Sequence, residues 1–213
     1  MNRLGTPPHV CLITPGESNS DNFHLQKEVI VQTIGDAVRD GVGLIQIREK
    51  QLTTRLLAKL VEECRSALSG TDATLLVNER TDVALAAGAD GVHLPESSLP
   101  VPVARKDFPN ILIGASVHSI TSAETAVRGG ADLILYGPVF DTPGKGPATG
   151  LDSLADVCRG VQGFPVIALG GIDESNCVEV IEAGAAGIAA IRALNDADSR
   201  RRLLERLRTA RMD

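Results

Sequence analysis

Four times along this chain a helix-like stretch meets a glycine and then passes almost at once into a short apolar run. The segments are 37–47, 85–94, 127–136 and 181–191, with Gly41, Gly88, Gly130 and Gly184 at the junctions. Each glycine stands where a helix C-cap calls for a residue that tolerates positive φ. The apolar runs are short and nearly continuous, the pattern of strands buried on both faces of a parallel sheet. A helix–glycine–strand unit recurring in one chain predicts a closed barrel, and in such barrels chemistry gathers at the C-terminal ends of the strands.

Strands are expected over 10–13, 44–47, 74–77, 91–94, 111–114, 133–136, 166–169 and 187–190. Helical patterns lie near 27–39, 54–66, 82–87, 101–106, 122–128, 153–160, 174–183 and 196–211. The alternation predicts an α/β fold, a single-domain (β/α)8 TIM barrel, with an open doubly wound sheet as the rival. The 213 residues suit one domain, with 1–8 read as a loose leader. Asp173 and Asp196 are candidate N-caps for the last two helices. The run Arg200–Arg201–Arg202 reads as a solvated face.

Composition narrows the partners. Aromatics are 2% of the chain, too few for base-stacking platforms, and the net charge of -6 disfavours nucleic acid and acidic membranes. A small anionic substrate stays open, because local cations can bind phosphate within an acidic protein. Cys11, Cys64, Cys158 and Cys177 lack metal-ligand spacing and read as small buried hydrophobes. Without a signal-like segment or a membrane-length apolar run, the expectation is a cytoplasmic protein. Oligomeric state is not legible, so a homo-oligomer stays open.

The candidate site residues sit just after strands. Gln46 and Arg48 share one side of strand two and its extension, with Glu49 and Lys50 beside them. Two cations and an amide suit a phosphate or diphosphate; a surface salt-bridge cluster is the plainer alternative. Asn78, Glu79 and Arg80 occupy the matching place after strand three. There Glu79 could hold Mg²⁺ against a phosphate or pair with Arg80. His93, inside a strand, reads as a hydrogen-bonded structural histidine. His118, between strand five and the next helix, reads as an acid/base.

Two connections are longer than a cap needs, 15–23 after strand one and 140–150 after strand six. The second, rich in Gly, Pro and Thr, has the composition of a lid, with Lys145 to fold over an anion and Thr142 to add a hydroxyl donor. Gly170 and Gly171 follow strand seven and Arg192 follows strand eight, where barrels of this type cradle phosphate.

At these residues the chain resembles the thiamin phosphate synthase/TenI family. The resemblance runs from Leu12 to about Leu194. It rests on Ile45-Gln46-Ile47-Arg48-Glu49-Lys50, Val77-Asn78-Glu79-Arg80, Gly91-Val92-His93-Leu94, Ser116-Val117-His118-Ser119, Gly137-Pro138-Val139-Phe140 and Ala168-Leu169-Gly170-Gly171. The family implies one of two activities. A synthase joins a pyrimidine diphosphate to a thiazole phosphate and expels diphosphate, with Arg48, Lys50, Asn78 and Lys145 on the diphosphate and Mg²⁺ on two acidic residues. A TenI-type tautomerase moves a thiazole ring proton through His118 and needs no metal.

Glu79 stands where the synthase pattern has Asp, Ser98 where it has a second Asp, and Gly144 where it has a second Thr. Leu94-Pro95 followed by two serines is similar to the TenI branch. The expectation is therefore a thiazole tautomerase, with thiamin phosphate synthase as the first alternative. A non-catalytic barrel that binds thiazole or thiamin phosphates is the second.

Overall fold

The computed structural model describes residues 4 and 6–210. Strand β1 (His9–Ile13) leads through helix α1 (Phe23–Asp40) to β2 (Leu44–Ile47), α2 (Thr54–Ala67), β3 (Thr74–Asn78) and α3 (Thr81–Ala86). There follow β4 (Gly91–Leu94), α4 (Val101–Asp107), β5 (Leu112–Val117), α5 (Ile120–Arg128), β6 (Leu133–Tyr136) and α6 (Gly150–Gly160). The chain continues through β7 (Val166–Leu169), α7 (Cys177–Glu182), β8 (Gly187–Ala190), the short α8 (Arg192–Asn195) and α9 (Ala197–Thr209). The strands pair in parallel, each with the next in sequence, and β8 closes on β1. The chain is a (β/α)8 barrel.

Strand alternation divides the apolar residues into two layers. One set, with Val10, Leu12, Ile45 and Ile47, packs outward under the helices. The other, with Cys11, Ile13, Leu44, Leu76, Leu133 and Ile167, fills the barrel. Burial pushes the Cys11 thiol up to about 12, so this residue behaves as a hydrophobe. Of the leader expected over 1–8, residues 1–3 and 5 lie outside the described residues; Leu4 packs against the inner layer. The four junction glycines all have positive φ, from 70° at Gly88 to 112° at Gly41.

Several expectations need correction. β5 does not stop at residue 114: its ladder with β6 continues through Ser116 and Val117. Helix α7 starts at Cys177 with Asn176 in the N-cap position. Asp173 therefore does not cap it; its carboxylate accepts from the Ser175 amide and hydroxyl in the turn before the helix. Asp196 does cap α9, accepting from Ser199 N. Arg200 is not solvated: its side chain is 3% exposed and its Nε donates to Asp40 Oδ2 at 2.8 Å, while Nη1 donates to the Leu194 carbonyl. Arg201 and Arg202 are the exposed part of that run.

Candidate functional site

The C-terminal rim of the barrel collects the side chains singled out above. Gln46 points inward from β2 and is buried; its Nε2 donates to Oδ1 of Asn78, the last residue of β3, at 3.1 Å. Arg48 follows β2 half-buried, and its backbone N–H donates to Thr14 Oγ1 at the end of β1. The salt-bridge alternative for this segment does not hold, because the Glu49 carboxylate is committed elsewhere. Buried, it accepts from the Gly16 amide at 3.0 Å and the Ser18 amide at 2.8 Å, fastening the β1–α1 connection to the end of β2. Sequence reasoning missed this anchor. The Gly-Glu-Ser run in the preceding connection was its one available signal.

Glu79 follows β3 and is the one described non-glycine residue with positive φ, at 67°. Such backbone costs of order 1 kcal/mol or more and persists where the surroundings impose it. Its N–H donates to the His93 carbonyl at 2.7 Å, which holds the turn. Arg80 does not pair with Glu79, because its guanidinium is bonded to Asp82 and Thr54. The Glu79 carboxylate therefore stays exposed at the rim. Ser98, at the position of the second acidic residue, donates to the Pro95 carbonyl and closes its own turn.

His118 stands just past β5, half-exposed, with Nδ1 2.6 Å from the Gly137 carbonyl and Nε2 3.8 Å from Glu96 Oε2. A carbonyl only accepts, so Nδ1 carries the proton in the neutral ring and the Nε2 lone pair faces outward. Ser119 and Ser122 form a capping box that starts α5 directly behind it. Sequence reasoning found His118 but not Glu96 as its neighbour.

The β6–α6 connection carries Thr142 and Lys145. Thr142 is not a free donor, since its hydroxyl donates to the Phe140 carbonyl at 3.0 Å. Lys145 is exposed in a turn closed by its own N–H on the Thr142 carbonyl. Gly170 and Gly171 have φ of 103° and 65°, and the neighbouring β6–α6 connection crowds them. A Cβ on Gly171 would come within 2.7 Å of Phe140 Cβ, and one on Gly170 within 2.6 Å of Pro138 Cα. The close approach visible here is thus protein against protein. Arg192 opens α8, exposed, and Asn195 ties that helix to β1 by donating to the Ile13 carbonyl.

Together these residues form one rim with its cations unspent. Among the described residues, no hydrogen bond or ion pair engages the side chains of Arg48, Lys50, Lys145 or Arg192. Elsewhere Arg39, Arg105, Arg159, Arg200, Arg201 and Arg202 are paired with carboxylates, while Arg55 and Lys59 on α2 and Lys106 on α4, also unpaired among the described residues, lie on helices outside the rim.

Below the rim His93 is fully buried, with Nε2 2.8 Å from Ser116 Oγ, a hydrogen-bonded position as its sequence context implies. Burial lowers its pKa from 6.5 to about 4, because the charged ring would lose its hydration. Between those two values the unfolded chain binds the proton and the native ring does not, so stability falls as pH drops from about 6.5 to about 4. The loss from this group approaches about 3 kcal/mol. Urea unfolding of the wild type and His93→Gln across that range measures it: the variant's stability should fall less steeply.

Comparisons with known proteins agree with this geometry. Residues 10–194 match the family model described as thiamine monophosphate synthase. A thiamine-phosphate synthase of Chloroflexus aurantiacus is 41% identical over 165 residues, 76% of each chain. One of Pyrococcus furiosus is 39% identical over 180 residues, 84% of this chain and 86% of that one. The solved structure of a thiamine phosphate pyrophosphorylase from Pyrococcus furiosus superposes with a TM-score of 0.83 at 32% identity, covering 98% of both chains. On the barrel, the ordered motifs and these likenesses, the chain belongs to the thiamine monophosphate synthase family.

Proposed function

We propose that the protein is a thiamin phosphate synthase, a transferase that joins a hydroxymethylpyrimidine diphosphate to a thiazole phosphate and releases diphosphate. The relatives' names place it among enzymes of thiamin biosynthesis, which disfavours a non-catalytic binder. They also favour the synthase over the tautomerase that the sequence pattern put first. The observation that carries the reading is the set of unpaired cations. Arg192 beside β8 accounts for one phosphate, as either activity requires. Arg48 and Lys50 after β2, with Lys145 after β6, are in surplus for a monophosphate and match a second, more highly charged anion.

In this reading Arg48, Lys50, Asn78 and Lys145 hold the diphosphate. As the bond between the pyrimidine methylene and the diphosphate oxygen breaks, the leaving group gains charge that these cations stabilise. The pyrimidine methylene is left cation-like, and the thiazole nitrogen attacks it to form the new C–N bond. Gly170, Gly171 and Arg192 orient the thiazole phosphate for that attack. Gln46 braces Asn78 from below by donating its Nε2–H to Asn78 Oδ1.

The residues present suit Mg²⁺. Glu79 and Glu96 offer hard carboxylate oxygens on adjacent connections, and neither is neutralised by an arginine or lysine among the described residues. Mg²⁺ in phosphate sites takes one or two carboxylates and completes its shell with phosphate and water. When bound it would supply further neutralisation of the departing diphosphate.

The test is thiamin phosphate formation by purified protein given both precursors. Product is expected with Mg²⁺, its loss with a chelator, and its return on adding metal. A second reading, the tautomerase, draws on one observation, the outward Nε2 lone pair of His118 fixed by the Gly137 carbonyl. It would displace the synthase if no thiamin phosphate formed, the thiazole carboxylate phosphate were aromatised, and His118→Ala abolished that step.

A further inference from the structure

The polar floor beneath the rim contains a histidine whose second ring nitrogen is idle. Among the described residues His93 Nδ1 is buried without a partner, while Nε2 meets Ser116 Oγ at 2.8 Å. The ring lies flush against β5 because the residue opposite it is Gly114: a Cβ there would come within 2.9 Å of Nδ1. A neutral imidazole has one N–H and one lone pair to distribute. A proton on Nδ1 would leave a buried donor unpaired, whereas an unpaired acceptor is less costly. The proton therefore belongs on Nε2, and Ser116 Oγ accepts it. The Ser116 hydroxyl hydrogen must then point away from His93. Ser116 is the partly exposed residue of β5, with its strand neighbours buried on either side.

We propose that His93 is a positioning residue: by donating Nε2–H to Ser116 it turns the serine hydroxyl into a donor aimed at the mouth, ready for an accepting atom of the substrate. That atom is a pyrimidine ring nitrogen or a phosphoryl oxygen, since the thiazole nitrogen's lone pair is needed for the new C–N bond. The inference rests on the synthase reading for its substrate. The tautomer itself does not depend on that reading.

Two measurements test it. Long-range ¹H–¹⁵N correlation spectra of the labelled full chain at pH 7, with His93 assigned by its loss in His93→Gln, should show protonated Nε2 and bare Nδ1. Protonated Nδ1, or a charged ring, overturns the proposal, and this readout needs no turnover. In steady-state assays, Ser116→Ala and His93→Phe should each lower kcat/KM about tenfold or more. The double variant should be no worse than the worse single, because one acts through the other. Fully multiplicative losses would overturn it. Calorimetric titration of Ser116→Ala with inorganic diphosphate and with the unphosphorylated pyrimidine alcohol then separates the two sources. Weakening of the first assigns a phosphoryl oxygen and of the second a ring nitrogen; unchanged affinity for both rejects the donor role.

Discussion

Arg48→Ala should lower kcat/KM for the coupling of the two precursors by about a hundredfold while leaving the thermal midpoint nearly unchanged. A charge-assisted hydrogen bond contributes about 1.5–3 kcal/mol, and a guanidinium offers two in parallel to a diphosphate. The loss should be concentrated in kcat/KM at limiting pyrimidine diphosphate, with the thiazole phosphate KM little affected. Stability should hold because the Arg48 side chain has no partner among the described residues, while the backbone N–H that bonds Thr14 survives the substitution. Arg48→Lys should recover only part of the activity, since an ammonium cannot reproduce the planar fork. Undiminished turnover in Arg48→Ala would remove this side chain from the diphosphate site.

The second large effect is structural. Asp40→Ala removes the carboxylate partner of Arg200, whose side chain is 3% exposed. A buried guanidinium left without its counter-ion costs about 3–5 kcal/mol, and the lower end applies here because Asp40 is 27% exposed and the Leu194 carbonyl remains an acceptor. Set against a total stability of about 5–15 kcal/mol, that is a severe loss. For a domain of this size it corresponds to a fall of roughly 10 °C in the thermal midpoint. Adding Arg200→Met to Asp40→Ala should restore much of the stability, because the cost lies in the stranded charge more than in the lost bond. A denaturant series on the three chains decides it, and a neutral Asp40→Ala would show that water reaches Arg200.

Arg200 also marks where the sequence stops being readable. Three consecutive arginines on a helix look alike in one dimension. One of them is buried because Asp40, 160 positions earlier at the end of α1, lies under it. The barrel itself was legible because its signals are local: apolar runs of strand length, and glycines at helix ends whose backbone only glycine adopts cheaply. The rim was legible for the same reason, since residues after a strand are delivered to one end of a barrel whatever the helices do.

Partners across strands were not legible. Ser116 was expected beyond its strand, yet it belongs to β5 because β6 offers it Leu135 as a ladder partner. The Glu49 bonds to Gly16 and Ser18 span 33 and 31 positions, and the short Gly-Glu-Ser run does not name its distant partner. The local acceptor of the Thr142 hydroxyl, the Phe140 carbonyl, was not legible because it is a matter of loop geometry.

The Glu49 clamp makes the entrance stiff on one flank and loose on the other. The connection after β1 is fastened before any ligand arrives, whereas the glycine-bearing stretch around Lys145 is exposed and tied by few bonds. The backbone ordering that binding demands then falls on that second flank. Substrates and products would pass beside it, and the tempo of their exchange would be set there rather than in the barrel wall.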